Sequence, residues 1–403
     1  MSSKIIKKIP EGYKPTEIGV IPEDWKVKRL DKIFSITAGR DLIKESYSQI
    51  RDNEHPFPIY SNSLENKGLY GYTGIARYKK NSITITARGT IGRSNARDHE
   101  FDAIGRLLVL LPKEKLNCIF ISEYLNNKVS FSIESTGVPQ LTAPQASKYF
   151  VSYPNSEEQT AIATVLSDND ALIEHLEKLI VKKKAIKQGA MQQLLTGKKR
   201  LPGFSGEWEV KKLGDIAQVL TGNTPPTNDK SNYGEDYFFV SPADLGKSKY
   251  IHNTEKKLSK KGFNISRKFP PNSILFTCIG STIGKLGIAP IELTSNQQIN
   301  AVLPNEKFSP DFLFYSLDYI SPRIQSLAGE QAVPLVNKTE FERTLIVLPT
   351  IKSEQTAIAT VLSEIDTEIE KLEKKLDKYR KIKTGMMQQL LTGKIRLGKN
   401  NYE

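Results

Sequence analysis

Two short turns contain the residue types that bind phosphate groups. The segments Ala87–Arg93, ARGTIGR, and Ile279–Lys285, IGSTIGK, each place Thr-Ile-Gly between a predicted strand and a cation. Backbone amides of a glycine-rich turn can hold a phosphate, and hydroxyl and cationic side chains add further donors. A simple turn between strands explains the glycines equally well. The candidate DNA-phosphate contacts are Arg88, Thr90, Arg93, Thr282 and Lys285.

Amide side chains form a second group of candidates. The polar run Thr294–Asn300, TSNQQIN, offers carboxamides that can form paired hydrogen bonds to adenine, and Gln140 can do the same in the first half. Loop polarity alone also produces such a run. The remaining candidate DNA contacts are Arg40, Asn223, Asn296, Gln297, Gln298 and Asn300.

Composition favours a binding protein over an enzyme. Lys and Arg number 58 against 45 Asp and Glu, and the net charge of +13 attracts a polyanion, nucleic acid first and an anionic membrane second. The Gly-Lys pairs at Gly197 and Gly393 fail the phosphate-loop pattern, and no Asn-Pro-Pro-aromatic tetrapeptide is present. Two cysteines and four histidines lack metal-ligand spacing. We therefore expect no catalytic residue, cofactor or metal in this chain.

An internal repeat organises the chain and must position these residues. Residues 158–201 align with residues 354–397 without a gap, and 30 of the 44 positions are identical. We call these the constant segments. A fainter repeat, Trp25–Gly39 against Trp208–Gly222, opens each variable region, and both tryptophans are expected to be packing anchors.

Each constant segment is helical by pattern. Ser156 with Gln159 predicts a capping box that opens a short helix through Val165. Ser167 predicts the cap of a second helix of about 28 residues, roughly 42 Å long. Gly197 stands where a C′ glycine belongs, and the second copy repeats these signals.

Apolar columns on the two helices predict an antiparallel coiled-coil pair within the chain, because two near-identical seams can pack against each other. The alternative is that each helix packs separately on its own domain. The columns are Ile173, Leu176, Ile180, Ile186, Met191, Leu194 and Leu195, with their mates Ile369, Leu372, Leu376, Ile382, Met387, Leu390 and Leu391.

The variable regions are strand-rich. Residues 81–88, 106–112, 272–280 and 344–349 are short β-branched runs bounded by turn residues, and residues 118–127 and 310–320 are helical by pattern. Each region is predicted to be an α+β domain. The longest apolar run, Leu107–Leu111, is far shorter than the roughly 20 residues that cross a bilayer, so we expect a cytoplasmic protein.

The repeated anchors resemble a known family. Two divergent regions, introduced by IPEDW or FSGEW and followed by EQTAIATVLS, a long helix and MQQLLTGK, are similar to the specificity subunit of type I restriction-modification systems. The resemblance implies two target recognition domains joined by two spacer helices with a pseudo-twofold relation. Residues 1–155 hold an N-terminal arm and the first domain, and residues 202–350 hold the second domain. The helices lie in residues 156–201 and, with a C-terminal tail, in residues 351–403. Members read an asymmetric bipartite duplex DNA sequence, one half for each domain.

The resemblance also implies partners. Two methylation subunits, which bind S-adenosylmethionine, dock on the conserved helices, and two restriction subunits use ATP and magnesium. None of these ligands belongs to this chain. The docking residues implied are Gln159, Ile162, Leu166 and the columns from Met191 to Lys198, with Gln355, Ile358, Leu362 and the columns from Met387 to Lys394.

One expectation and one alternative accompany this interpretation. If the helices act as a ruler, a helical turn inserted after Lys187 lengthens the unread gap in the DNA. The main alternative is a coiled-coil scaffold that holds protein-binding domains and does not contact DNA.

Overall fold

The structure is a computed structural model that describes residues 9–132, 139–329 and 333–397. The chain divides into two compact units. Unit 1 comprises Met1–Leu176 and Lys375–Glu403, and unit 2 comprises Glu177–Lys374. Among the described residues, no helix combines the length and apolarity that a membrane span requires.

The described part of unit 1 contains two four-stranded sheets, and three short α-helices ahead of the first long helix. Its strands are β1 Tyr13–Thr16, β2 Gly19–Pro22, β3 Lys26–Arg29, β4 Phe34–Ala38, β5 Tyr47–Ser48, β6 Phe57–Tyr60, β7 Leu69–Thr73, β8 Ser82–Ile85, β9 Ser94–Arg97, β10 Asp102–Ala103, β11 Leu108–Pro112 and β12 Phe150–Tyr153. The helices are α1 Leu30–Ile33, α2 Cys118–Lys128, α3 Ala143–Ser147 and the beginning of α4 Ser156–Leu194. The sheet orders are β4-β11-β8-β9 and β10-β6-β7-β5.

Strand β11 shows why this sequence makes a sheet with two buried faces. Leu108 and Leu110 belong to the core that includes Phe120 of α2, whereas Val109 belongs to a second core with Phe101. Side chains alternate between the two faces of a strand, so a continuous apolar run is buried on both sides. The predicted strands at residues 81–88 and 106–112 are confirmed as β8 and β11.

Unit 2 repeats this plan. Its strands are β13 Trp208–Lys212, β14 Ala217–Thr221, β15 Tyr233–Gly234, β16 Tyr237–Val240, β17 Lys256–Leu258, β18 Lys268–Phe269, β19 Ile274–Thr277, β20 Leu286–Ile288, β21 Leu293–Ser295, β22 Ile299–Pro304 and β23 Leu345–Pro349. The helices are the end of α4, α5 Leu213–Ile216, α6 Lys260–Ile265, α7 Pro310–Ser326, α8 Lys338–Glu342 and the first part of α9 Lys352–Leu390. The sheet orders are β14-β22-β19-β20 and β15-β17-β16-β21-β18. The α+β prediction is confirmed.

Each constant segment forms one unbroken helix, and the predicted break before Ser167 is wrong. Helices α4 and α9 each contain 39 residues, about 58 Å at the α-helical rise. Ser363, the mate of Ser167, accepts a hydrogen bond from Lys249 Nζ at 2.7 Å and does not cap a helix. The cap of α4 is also one residue earlier than predicted, since Asn155 Oδ1 accepts the backbone N–H of Glu158.

Gln159 and Gln355 tie each long helix to its domain in the same way. Gln159 donates to Pro154 O and accepts the backbone N–H of Asn117, the N-cap residue of α2. Gln355 donates to Pro349 O and accepts the backbone N–H of Ser309, the N-cap residue of α7. Their exposures are 2% and 0%, so both glutamines act inside their units. This burial does not fit the implied docking role.

We expect Gln355→Leu to destabilise unit 2. Leucine keeps the side-chain volume but leaves the Ser309 N–H and the Pro349 carbonyl without a hydrogen-bond partner. Each unsatisfied buried group lowers the free energy of unfolding by about 1–3 kcal/mol. The exposed Gln388→Leu is the matched control. Urea unfolding measures both, and equal midpoints for the two variants would contradict the role of this side chain.

The two long helices pack together in antiparallel fashion within each unit. In unit 2, Lys183 pairs with Glu368 and Lys187 pairs with Asp366 at 2.7 Å. In unit 1, Lys383 pairs with Asp170 at 2.6 Å. The columns between the helices are buried: Leu176 and Leu376 in unit 1, Ile180 and Ile369 in unit 2.

The helices also pack on the domains, so the alternative that each helix packs on a domain is correct in part. Unit 1 buries Ile162, Leu166, Leu390 and Leu391 in the core that contains Trp25. In unit 2, the corresponding core buries Met191, Leu194, Leu195, Ile358 and Leu362. Of the other columns, Ile173, Leu372 and Met387 are half-buried. The predicted column of Ile186 and Ile382 is wrong, because both side chains are exposed. An amphipathic helix here serves a helix partner and a domain at once.

Candidate nucleic-acid interface

The turn after β8 is fixed largely by its own hydrogen bonds. The backbone N–H of Gly92 donates to Thr86 O, and that of Arg93 donates to Thr86 Oγ1. Gly89 has φ +66°, and a Cβ there would meet nothing within 4 Å, so the tip of the turn projects into open space. The amides of Gly92 and Arg93 therefore cannot hold a phosphate as the sequence suggested.

Arg88 and Gln140 lie together beside this turn. Gln140 Oε1 accepts hydrogen bonds from Arg88 Nε at 3.2 Å and from Arg88 Nη2 at 2.9 Å. Arg88 is exposed and Gln140 is half-buried. The structure thus brings together two candidates that lie 52 residues apart in sequence.

Asn62 supports the same turn, although sequence reasoning missed it. Its Oδ1 accepts the backbone N–H groups of Ala87 and Arg88, and its Nδ2 donates to Gly105 O at 2.6 Å. The backbone N–H of Gly105 in turn donates to Arg40 O, which places exposed Arg40 on the same framework. A lone asparagine in a loop carries no pattern that could have identified it.

Thr90 and Arg93 line a concave site of about 350 Å³ together with Lys67. Lys67 has φ +55°, and its carbonyl accepts a hydrogen bond from Arg97 Nη2 at 2.7 Å. Burial lowers the pKa of Arg97 to about 10, while the Tyr60 ring lies 3.4 Å below the guanidinium. The site presents two cations and a hydroxyl, a suitable set for a phosphate group.

The turn after β19 follows the same design in unit 2. The backbone N–H of Gly284 donates to Thr277 O, and that of Lys285 donates to Thr282 O. Lys285 is exposed, and its stem lies over Gly246. Thr282 is half-buried. Here too the protein itself occupies most of the turn amides.

The amide run divides into exposed and buried members. Asn296 Nδ2 donates to Gln298 Oε1 at 2.9 Å, and the exposed Gln297 accepts a hydrogen bond from Thr224. Gly222 belongs to this corner because a Cβ there would lie 2.2 Å from Asn296 O. The neighbouring Asn223 accepts the backbone N–H of Arg267 and is half-buried.

Asn300 does not reach the surface. It is 3% exposed, donates to Cys278 Sγ at 3.2 Å and accepts a hydrogen bond from Thr221 at 2.7 Å. It lies in β22, between β14 and β19, where its side chain ties neighbouring strands together. We correct the sequence assignment at this position, because a base contact would require the side chain to leave the sheet.

In each unit, an arginine at the end of one constant segment makes paired hydrogen bonds to a glutamate at the start of the other segment. Sequence reasoning missed both of these arginine forks. Arg200 Nε and Nη2 each donate to Glu354 at 2.7 Å. Arg396 makes the same pair of bonds to Glu158. The carboxylates are 0% and 4% exposed. The signal was present in the repeat, since both residues are identical in the two copies.

Both cysteines of the chain are buried. Burial raises the pKa of the thiols of Cys118 and Cys278 to about 12, so neither is a thiolate at neutral pH. Within the described ranges, no group of three or more His, Cys, Asp or Glu side chains could hold a metal ion.

Trp25 is fully buried and Trp208 packs on the unit 2 core, so the expectation that both are packing anchors is confirmed.

Comparison with known proteins places the chain among relatives. Residues 22–185 and 205–378 match the family model described as type I restriction modification DNA specificity domain. The chain is 28% identical to the putative type I restriction enzyme MjaX specificity subunit of Methanocaldococcus jannaschii, covering 96% of this chain and 97% of the relative. It is 26% identical to the MjaVIII specificity subunit of the same organism, covering 97% and 98%.

Solved structures show the same fold. The S subunit of a type I restriction-modification system from M. genitalium matches with a TM-score of 0.67 at 16% identity, covering 91% of this chain and 96% of that one. A chain from a structure on complex assembly and conformational transition of the type I restriction-modification system matches with a TM-score of 0.52, also at 16% identity, covering 93% and 99%.

Proposed function

Since this chain belongs to the type I restriction-modification DNA specificity family, whose members are non-catalytic, we propose that it reads an asymmetric bipartite duplex target. We assign residues 1–155 to an N-terminal arm and the first target recognition domain, and residues 202–350 to the second domain. Residues 156–201 and 351–403 then supply the two helices and a C-terminal tail. One observation carries the proposal: Arg88 and Gln140 lie beside the turn after β8 in unit 1, whereas the amides of Asn296 and Gln298 lie beside the turn after β19 in unit 2. Different surfaces on one repeated frame predict different half-sites.

We expect affinity to come mainly from phosphate contacts and discrimination from base contacts. The site formed by Lys67, Thr90 and Arg93 supports a phosphate contact in unit 1. Arg40 and Lys285 are further exposed cations on the candidate surface.

Removing one phosphate cation should weaken DNA binding without changing sequence preference. For Arg93→Ala, the slope of log affinity against log salt should become shallower by about 0.9. Lys115→Ala, an exposed lysine in the loop between β11 and α2, is the matched control. Fluorescence anisotropy over a salt series measures both slopes. An unchanged slope for Arg93→Ala would remove this site from the interface.

The partner surface must be the exposed face of the helices, because the buried columns are used inside each unit. In unit 1 this face includes Thr160, Thr164 and Gln388, and in unit 2 it includes Thr356, Thr360 and Gln192. These residues are identical between the copies although they are exposed. The repeated face supports docking of two identical methylation subunits, one on each copy.

The chemistry then belongs to the partners. The methylation subunits would bind S-adenosylmethionine and modify adenine, and two restriction subunits would use ATP and magnesium. This chain would supply target choice alone.

Mapping methylated adenines tests the proposal. A host expressing the cognate methylation subunit is sequenced for modified bases with and without this chain. An asymmetric bipartite motif that appears only with the chain supports the proposed function. If both proteins are soluble and co-purify but no new methylation arises, the scaffold alternative replaces it.

A further inference from the structure

The turns after β8 and β19 correspond through their backbone hydrogen bonds, although the second turn is one residue longer. Thr86 N–H donates to Arg93 O in unit 1, and Thr277 N–H donates to Lys285 O in unit 2. A second chain segment joins each turn at the same place. Leu141 N–H donates to Ala87 O at 2.9 Å, and Val336 N–H donates to Cys278 O at 2.9 Å.

This correspondence pairs two positions that sequence alignment does not. Arg88 follows Ala87 as Ile279 follows Cys278, and Gln140 precedes Leu141 as Leu335 precedes Val336. The segments that contain Gln140 and Leu335 also lead into short capped helices, α3 and α8, in both units. The same two positions are therefore polar in unit 1 and apolar in unit 2.

In unit 1 the pair presents hydrogen-bond donors. A guanidinium has five N–H groups, and Gln140 Oε1 accepts from Nε and Nη2. No described residue hydrogen-bonds to the Nη1 group or to the outer N–H of Nη2, so these N–H groups can meet a ligand. Gln140 therefore holds Arg88 in the orientation in which its end can meet two acceptors side by side.

In unit 2 the pair presents an apolar surface. Ile279 and Leu335 form an isolated β-bridge, so their backbones lie directly alongside each other. Leu335 is 43% exposed and the nearby Val333 is 61% exposed. Neither position carries a polar side chain, although the turn lies beside the amide of Gln298.

We propose that these two positions are a specificity pair: Arg88, positioned by Gln140, reads a guanine in one half-site, and Ile279 with Leu335 contacts a thymine methyl group in the other. The inference rests on the proposed DNA-reading function and adds a base to each half. In the major groove, guanine presents the O6 and N7 acceptors side by side, whereas thymine presents its C5-methyl group. The N–H groups at the end of the Arg88 guanidinium fit the two guanine acceptors, and the exposed side chain of Leu335 fits the thymine methyl group.

Base analogues in the target test each contact separately. The complex with the methylation subunits is titrated with duplexes in which one guanine is replaced by 7-deazaguanine, or one thymine by deoxyuridine. One 7-deazaguanine position should weaken wild-type binding by about 5- to 150-fold. That penalty should disappear in Arg88→Ile and shrink in Gln140→Ala, since Gln140 is a positioning residue.

Unit 2 gives the reciprocal result. One deoxyuridine position, in the other half-site, should weaken wild-type binding but should not weaken Leu335→Ser further. Arg93→Ala is the control in unit 1, because a phosphate contact predicts uniform weakening and an unchanged 7-deazaguanine penalty.

The outcomes separate the two levels of inference. If the wild-type complex binds no bipartite target, the proposed function fails. If it does bind one, but Arg88→Ile keeps the full 7-deazaguanine penalty and Leu335→Ser keeps the full deoxyuridine penalty, the specificity pair is wrong. Should Arg88→Ile fail to fold, Gln140→Ala and Leu335→Ser still decide the question.

Discussion

Arg200→Met is expected to lower the free energy of unfolding of unit 2 by about 3–5 kcal/mol. The substitution removes both hydrogen bonds to Glu354, whose side chain is 0% exposed, and leaves its carboxylate buried without a partner. It also removes the hydrogen bond that Gly206 O accepts from Arg200 Nη1. Hydrogen exchange of the backbone amides in β13 and β23, followed by mass spectrometry, should report the loss.

Two further variants isolate the buried charge. Lys184→Met breaks a pair with Glu373 whose side chains are 58% and 47% exposed, so it should cost less than about 1 kcal/mol. The double variant Arg200→Met/Glu354→Gln removes the stranded charge and should recover part of the stability. If Arg200→Met costs no more than Lys184→Met, the fork does not hold the domain.

Seven residues inserted into both long helices are expected to lengthen the unread gap in the target by about three base pairs. Seven residues add roughly 10 Å and complete nearly two turns, so the seam keeps its face. The insertions belong after Leu176 in α4 and after Lys374 in α9, at the boundary between the units. Mapping methylated adenines gives the new gap, and both half-sites should be unchanged.

The simpler insertion after Lys187 alone is a poorer test. Lys187 pairs with Asp366, so lengthening one helix shifts every later pair against an unchanged partner. Seven glycine and serine residues inserted after Gly203 are the matched control, because a Cβ at Gly203 would meet nothing within 4 Å and the loop lies outside both helices. An unchanged gap in the paired variant would disprove the ruler.

The sequence predicted the helix pair because a repeat is a global signal. Thirty identical positions locate both constant segments, and the apolar columns locate their buried side. The same columns cannot tell what they pack against, since periodicity marks a buried face and does not name its partner. The family resemblance assigns Leu194 and Ile358 to partner docking, whereas both lie in the core of unit 2.

The candidate DNA residues show a second reason for error. Residue type placed Asn300 among base contacts, but only strand pairing with β14 and β19 reveals that it is buried. Likewise, Ser167 resembles a helix cap locally, while Asp170 three residues later pairs with Lys383 of the other helix and favours continuity. Contacts between distant segments decided both cases.

The division of the chain between the units has a consequence for synthesis. Unit 2 is one continuous stretch, whereas unit 1 needs Leu390 and Leu391 for its core and Arg396 for its fork to Glu158. A ribosome takes roughly 10–40 s to translate the intervening residues 177–374. The domain that is begun first is therefore finished last, and its apolar surface stays open to chaperones until residues 375–397 emerge.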